Sequence, residues 1–253
     1  MGQSTQTLEG IAVQDGVARL PGSPALEVTL RRSRRARRLS LRVSGLDGRA
    51  TLTIPPRFPQ AQALGFLNER AAWLRKALDR VQAPAPVRPG GTLLYRGNLL
   101  ELREAEGQRI RLAGDSLLVP PDPSGTRTGP RLETFLKADA RAALLPAVER
   151  YTTALGRRAK AVTLRDTRSR WGSCTSQGRL MFSWRLIMAP PDVLDYVVAH
   201  EVAHLAHMDH SRAFWDCVGR LMPDYTAHRN WLRSYGAQLH SYSFKARSAA
   251  ESG

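Results

Sequence analysis

Two histidines four residues apart with a glutamate between them, in His200-Glu201-Val202-Ala203-His204, are the residues of this chain best suited to chemistry. On a helix a spacing of four places both imidazoles on one face, a single turn apart, so two ring nitrogens can share one metal ion. Glu201 projects to the side, where it can reach a water on the metal but not the metal itself. An ion such as zinc lowers the pKa of that water toward about 7 and polarises a carbonyl, which leaves the carboxylate to move a proton as general base. Metal-dependent hydrolysis is the expected reaction class.

A catalytic zinc ordinarily has three protein ligands and an open position. His207 shares the helical face of the pair, but a rise of about 1.5 Å per residue puts its backbone roughly 10 Å from that of His200. The acids after Glu201 are Asp209, Asp216, Asp224 and Glu251, none of them a glutamate on an expected downstream helix, and Cys217 suits a buried structural thiol. His210 lies six residues beyond His204, where Met208-Asp209 can end the helix and turn the chain back. His210 is therefore the expected third ligand, with His207 and Asp209 as candidates to orient the ligands.

The element that must carry the pair is a helix over Pro191 to His207, with Val193, Leu194, Val197, Val198, Val202 and Leu205 as its apolar face. Two more helices are expected after it, Ser211 to Leu221 and Asp224 to Gln238, with Ser211 and Asp224 as caps. Strands are expected near Val162 to Arg165, Arg170 to Ser173 and Leu180 to Leu186. A long helical segment from Leu132 to Leu155 must kink or split at Pro146, which lacks an N–H. Further upstream, Leu39-Leu41-Val43 and Ala50-Leu52-Ile54 alternate as two half-buried strands joined through Gly45 and Asp47-Gly48. Apolar steps of three and four predict a helix over Gln60 to Val81. Four short strands are expected between Leu93 and Val119.

These elements describe an α+β chain: a tail over 1–25, a β-rich region over 26–130 with one long helix at 60–81, a catalytic region over 131–243, and a tail over 244–253. The loop rich in Pro and Gly at Pro120 to Pro130 marks the boundary between the two larger regions. Gln82 to Gly91, with Pro84, Pro86, Pro89, Gly90 and Gly91, reads as a connector.

The formal charge of +16 comes mainly from arginine. A field of this sign concentrates anions, whether nucleic acid, nucleotides or acidic chains, and solvated arginine-rich faces account for the same excess. Cys174 and Cys217 form no paired framework, which fits a reduced, cytoplasmic setting. Met1 to Gly10 has no secretory pattern, and no run nears the roughly 18 apolar residues of a membrane span.

Beyond the metal motif, the chain resembles the YgjP-like metallopeptidase family, relatives of the SprT-like and other compact zincins. The likeness runs through Arg170-Trp171-Gly172-Ser173-Cys174, Phe182-Ser183-Trp184-Arg185-Leu186, Leu194-Asp195-Tyr196-Val197-Val198, His210-Ser211 and Phe214-Trp215. It extends to Arg34-Arg35-Ala36-Arg37-Arg38 and the helix from Gln60, about residues 25 to 243 in all. The resemblance implies a zincin-like catalytic region, its motif helix against a small, mainly antiparallel sheet. It also implies zinc on His200, His204 and His210, Glu201 as base and a peptide or protein as substrate. The three histidines are spaced as in metzincins, but His207 stands where that pattern has glycine.

Two further readings stay open at this stage. Arg165, Arg168, Arg170 and Arg185 could bind phosphate in a metal-dependent nucleotide phosphohydrolase of the nucleoside triphosphate pyrophosphatase type. Arg31, Arg32, Arg34, Arg35, Arg37 and Arg38 could hold nucleic acid, making the chain a DNA-associated protease, or could simply form a charged strand edge that resists aggregation.

Overall fold

Asp15-Gly16 is a dipeptide with a strong preference for two-residue hairpin turns, and in the computed structural model both residues have positive φ, 51° and 75°. The structure describes residues 6–8, 10–44, 48–79 and 84–245. The Asp15-Gly16 turn joins Ile11–Gln14 to Val17–Leu20, so much of the stretch expected as a loose tail is paired sheet. The strands are only four residues long, too short for alternation to stand out.

The N-terminal strands are β1 (Gln6–Leu8), β2 (Ile11–Gln14), β3 (Val17–Leu20), β4 (Leu26–Arg32), β5 (Ser40–Val43) and β6 (Ala50–Ile54), in the spatial order β1-β2-β3-β4-β6-β5. The β5–β6 register sets Leu41 opposite Leu52, as the alternation predicts. Gly45 and Asp47 of the anticipated turn lie outside the described residues. The expected helix from Gln60 is two helices, α1 (Gln60–Glu69) and α2 (Ala71–Asp79), interrupted only at Arg70. The expected end at Val81 is outside the described residues, as are 1–5 and 246–253 of the tails. Leu64, Leu67 and Leu74 of the helices share one core with Val28, Leu52 and Ile54 of the sheet.

The chain forms two compact units, Met1–Ala83 and Pro84–Gly253, so the division falls in the proline-rich connector and not at the 120–130 loop. Residues on both sides of that loop, Leu93, Leu102 and Val119 before it and Leu132 and Leu136 after it, share one core. Within the connector, β7 (Ala85–Pro86) pairs with a strand near the end of the chain, Tyr242–Ser243. The ladder uses the N–H groups of Ala85 and Val87, which flank Pro86, so the donor that proline lacks is not needed.

In the second unit β8 (Thr92–Tyr95), β9 (Asn98–Glu104), β10 (Arg111–Ala113) and β11 (Ser116–Val119) form one sheet, followed by α3 (Thr128–Leu155). Helix α3 runs on through Pro146 without splitting. Its buried stripe of Leu132, Leu136, Leu144 and Tyr151 outweighs a proline cost of about 3 kcal/mol, since each large apolar side chain buried contributes roughly 1.5–3 kcal/mol. Asp122 secures its start, accepting from the N–H groups of Arg127 and Thr128 at 2.7 and 2.8 Å and from the Thr128 hydroxyl at 3.0 Å.

Burial opposes ionisation of Asp122, but hydrogen bonds from Ser124, Thr128 and Arg127 outweigh it and hold the carboxyl below the usual range. Asp122→Ala is expected to destabilise the second unit by about 1 kcal/mol in chemical denaturation, the usual size of a lost helix cap. Because the folded pKa is depressed, this contribution is complete above the unfolded value of about 3.9 and declines as pH falls below it. An unchanged midpoint at neutral pH would remove the capping role.

The elements of the expected catalytic region follow: β12 (Ala161–Arg165), β13 (Gly172–Cys174), β14 (Arg179–Ser183), α4 (Pro191–Ala203), α5 (Arg212–Leu221) and α6 (Tyr225–Tyr235), with β15 (Tyr242–Ser243) closing on β7. The expected strand to Leu186 stops at Ser183, and Trp184–Met188 is a buried 3₁₀ turn. The small sheet has the order β12-β14-β13, with β12 parallel and β13 antiparallel to β14. It is therefore mixed, where a mainly antiparallel sheet was expected. No helix among the described residues is long and apolar enough to cross a membrane.

Candidate metal centre

Most of helix α4 is buried. Pro190 precedes it and Pro191 opens it at a position where a missing N–H costs nothing. Val193, Leu194, Val197, Val198 and Val202 are buried in the core that α3 also lines. The helix ends at Ala203, earlier than the expected His207, with His204 in its C-cap position. Tight turns follow, in which the N–H groups of Leu205, Ala206 and His207 bond back to Val202 and Ala203. The chain reverses, Asp209 accepts from the Ser211 N–H at 3.2 Å, and Ser211 caps α5 by accepting from the Phe214 N–H.

That reversal brings His210 to His200 and His204. One ring nitrogen of each lies within 4.8 Å of the others. The Nε2 atoms of His200 and His210 are 3.2 Å apart. Two nitrogens each about 2.0–2.1 Å from a tetrahedral zinc lie about 3.3 Å apart, so this spacing suits a shared ion. His204 Nδ1 lies 2.9 Å from the His207 carbonyl oxygen, which can only accept, so Nδ1 carries the proton and Nε2 keeps its lone pair. His207 thus acts through its backbone, and its ring is outside the cluster. Burial, with its neighbours His204, His210 and Arg229 acting in the same direction, pushes His200 down to about 3 and keeps that imidazole neutral. Among the described residues these three form the group able to hold a metal.

Glu201 lies beside them in a cavity of about 640 Å³, lined also by Arg170, Trp171, Gly172, Ser173 and Cys174. Its side chain is buried, and burial pushes its pKa up to about 8, with Arg170 pulling the other way. A cation on the three imidazoles would favour the carboxylate form. Gly172 backs directly onto it: a Cβ there would stand 2.5 Å from Glu201 Cγ and 2.6 Å from Oε1. Cys174 donates to the Thr175 carbonyl at 3.4 Å, and burial together with Glu201 pushes the thiol up to about 11. Cys217 is buried in the core.

The arginines anticipated near the cleft separate. Arg170 lines it. Arg185 is buried and does structural work, bonding Asp166 at 2.7 and 3.1 Å and the carbonyls of Leu239 and Tyr242. Arg165 and Arg168 are not among the lining residues, whereas Arg229 and Arg233 of α6 are. Arg229 lies 4.4 Å over the Trp215 ring, which holds its guanidinium in place. Their spacing of four on an expected helix put both on one face, but no local signal showed which face meets the cleft. Gly172, Tyr196, Arg229, Leu232 and Arg233 are among the cavity residues to which motif reading assigned no role.

The family described as YgjP-like, metallopeptidase domain, matches residues 37–235. The chain belongs to the YgjP-like metallopeptidase family. No curated protein matches it. Among solved structures, it is similar to the crystal structure of the metallopeptidase zymogen of Pyrococcus abyssi abylysin. That match has 18% identity and a TM-score of 0.34 and covers 37% of this chain and 95% of that one.

Proposed function

We propose that this chain is a zinc-dependent metallopeptidase in which His200, His204 and His210 hold the ion and Glu201 is the general base. The observation that carries the reading is the meeting of three imidazole nitrogens within 4.8 Å in a cavity that Glu201 also lines. Zinc, when bound, would activate water and polarise the scissile carbonyl. Glu201 takes a proton from the attacking water and passes it to the leaving amine, a transfer its buried position keeps from bulk solvent. Gly172 keeps the carboxylate in register with the imidazoles. β13 is the edge of its sheet and lines the cavity, so an extended substrate can pair with its free side as an added strand.

Metal binding is testable without a substrate. Protein stripped with a chelator and then given zinc at 100 times its Kd gains about 2.7 kcal/mol, which raises Tm by roughly 5–10 °C for a chain of this size. His204→Ala is expected to abolish that gain. Zinc that shifts the wild type and this variant equally would rule out the three-histidine site.

Arg170, Arg229 and Arg233 favour a second reading, a metal-dependent nucleotide phosphohydrolase. All three line the cavity, and guanidinium groups pair well with phosphate oxygens. A panel of peptides and nucleoside triphosphates separates the two. Release of diphosphate or phosphate without peptide cleavage selects the phosphohydrolase, and no nucleotide turnover rejects it.

A further inference from the structure

The six-stranded N-terminal sheet has two unlike faces. Val28, Ala50, Leu52 and Ile54 point into the core shared with α1 and α2. The alternate residues point the other way, and strand register orders them in rows: Thr29, Thr51 and Arg42 in one, Arg31, Thr53 and Ser40 in the next. β4 leaves the sheet, and β5 enters it, at the C-terminal end of β6, with Arg32 opposite Ile54 and Ser40 opposite Thr53. The arginine-rich segment 33–39 therefore arches over that end. It is anchored there, since the Ser33 N–H bonds the Ile54 carbonyl at 3.0 Å and the Ala36 N–H bonds Ser33 at 3.1 Å.

Arg32 is spent on this architecture, donating to the carbonyls of Pro55, Pro56 and Phe58. Arg34, Arg35, Arg37, Arg38 and Arg42 are exposed, and among the described residues none has a carboxylate within ion-pairing distance. Glu27, the acid on this face among the described residues, is taken by Arg19 at 2.9 Å. Uncompensated like charges gathered on an ordered surface repel one another and attract a polyanion. Ser40, Thr51 and Thr53 add hydroxyl donors of the kind that contact phosphate oxygens. The described part of this face carries no aromatic ring on which unpaired bases could stack. Nor does it have an apolar stripe to enter a lipid surface.

We propose that this face and its arginine arch bind the phosphate backbone of duplex nucleic acid without regard to base sequence, independently of the metal centre. The test is fluorescence anisotropy of the full chain with a labelled mixed-sequence DNA duplex across a salt series. Binding is expected to fall steeply with salt, with a log–log slope of about −4 to −5 for five phosphate contacts.

Replacing Arg34, Arg35, Arg37 and Arg38 together by Ser should weaken binding at least tenfold at about 50 mM salt and flatten the slope by about 3 to 4. A milder variant, Arg35→Ser with Arg42→Ser, should move both readouts in the same direction and serves if the fourfold variant does not fold. The charge-matched control replaces Arg109, Arg141, Arg157 and Arg158 of the other unit by Ser and should change affinity much less. Equal weakening by the fourfold variant and the control would assign the binding to net charge and overturn the proposal. So would preference for a single strand over the duplex, binding to phosphatidylserine vesicles in place of the duplex, or no binding at low salt.

Discussion

Glu201→Gln is expected to lower kcat by about 10³–10⁴-fold while zinc content stays at the wild-type level, the upper range for loss of a positioned general base. The substitution is nearly isosteric, so the packing against Gly172 survives. The amide cannot accept a proton at neutral pH, and it is not one of the three nitrogen groups proposed to hold the metal. Metal analysis and turnover of a cleaved peptide, measured on the same preparation, separate chemistry from binding. Full activity in this variant would eliminate Glu201 as the base. Loss of zinc along with activity would instead place its role in metal retention.

Gly172→Ala is the second large effect, and it reports on geometry alone. The added methyl would sit 2.5 Å from Glu201 Cγ and 2.8 Å from its carboxyl carbon, far inside van der Waals contact. Either the glutamate swings away or β13 shifts. In both cases the carboxylate leaves its place by an ångström or so, a displacement that can cost about 10²-fold in rate. The three histidines are untouched, so zinc-induced stabilisation should persist while kcat falls. Wild-type turnover by a folded Gly172→Ala protein would show that the contact places no demand on the reaction.

Much of the candidate site was legible because it depends on local periodicity. A spacing of four on a helix determines that His200 and His204 share a face whatever surrounds them, and the apolar positions of α4 determine that this helix is buried. His210 could be anticipated because only a chain reversal lets a third imidazole reach the pair. The alternations of β5 and β6 were visible for the same reason. Helix ends were not: α4 stops at Ala203, and in the tight turns after it the His204 ring meets the His207 carbonyl, a contact no propensity encodes.

What the tertiary structure alone decided were meetings between segments far apart in the chain. That Gly172 faces Glu201, that Arg229 and Arg233 reach the cavity, and that Arg185 turns inward to Asp166 all depend on how β13, α6 and the 3₁₀ turn pack around α4. Four nearby arginines looked alike in the sequence, and burial sorted them into one cavity residue, one internal ion pair and two elsewhere. The physical reason is that a residue's period records which face of its own element it occupies. Which other element that face meets is a property of packing, and it comes into being only when the core closes.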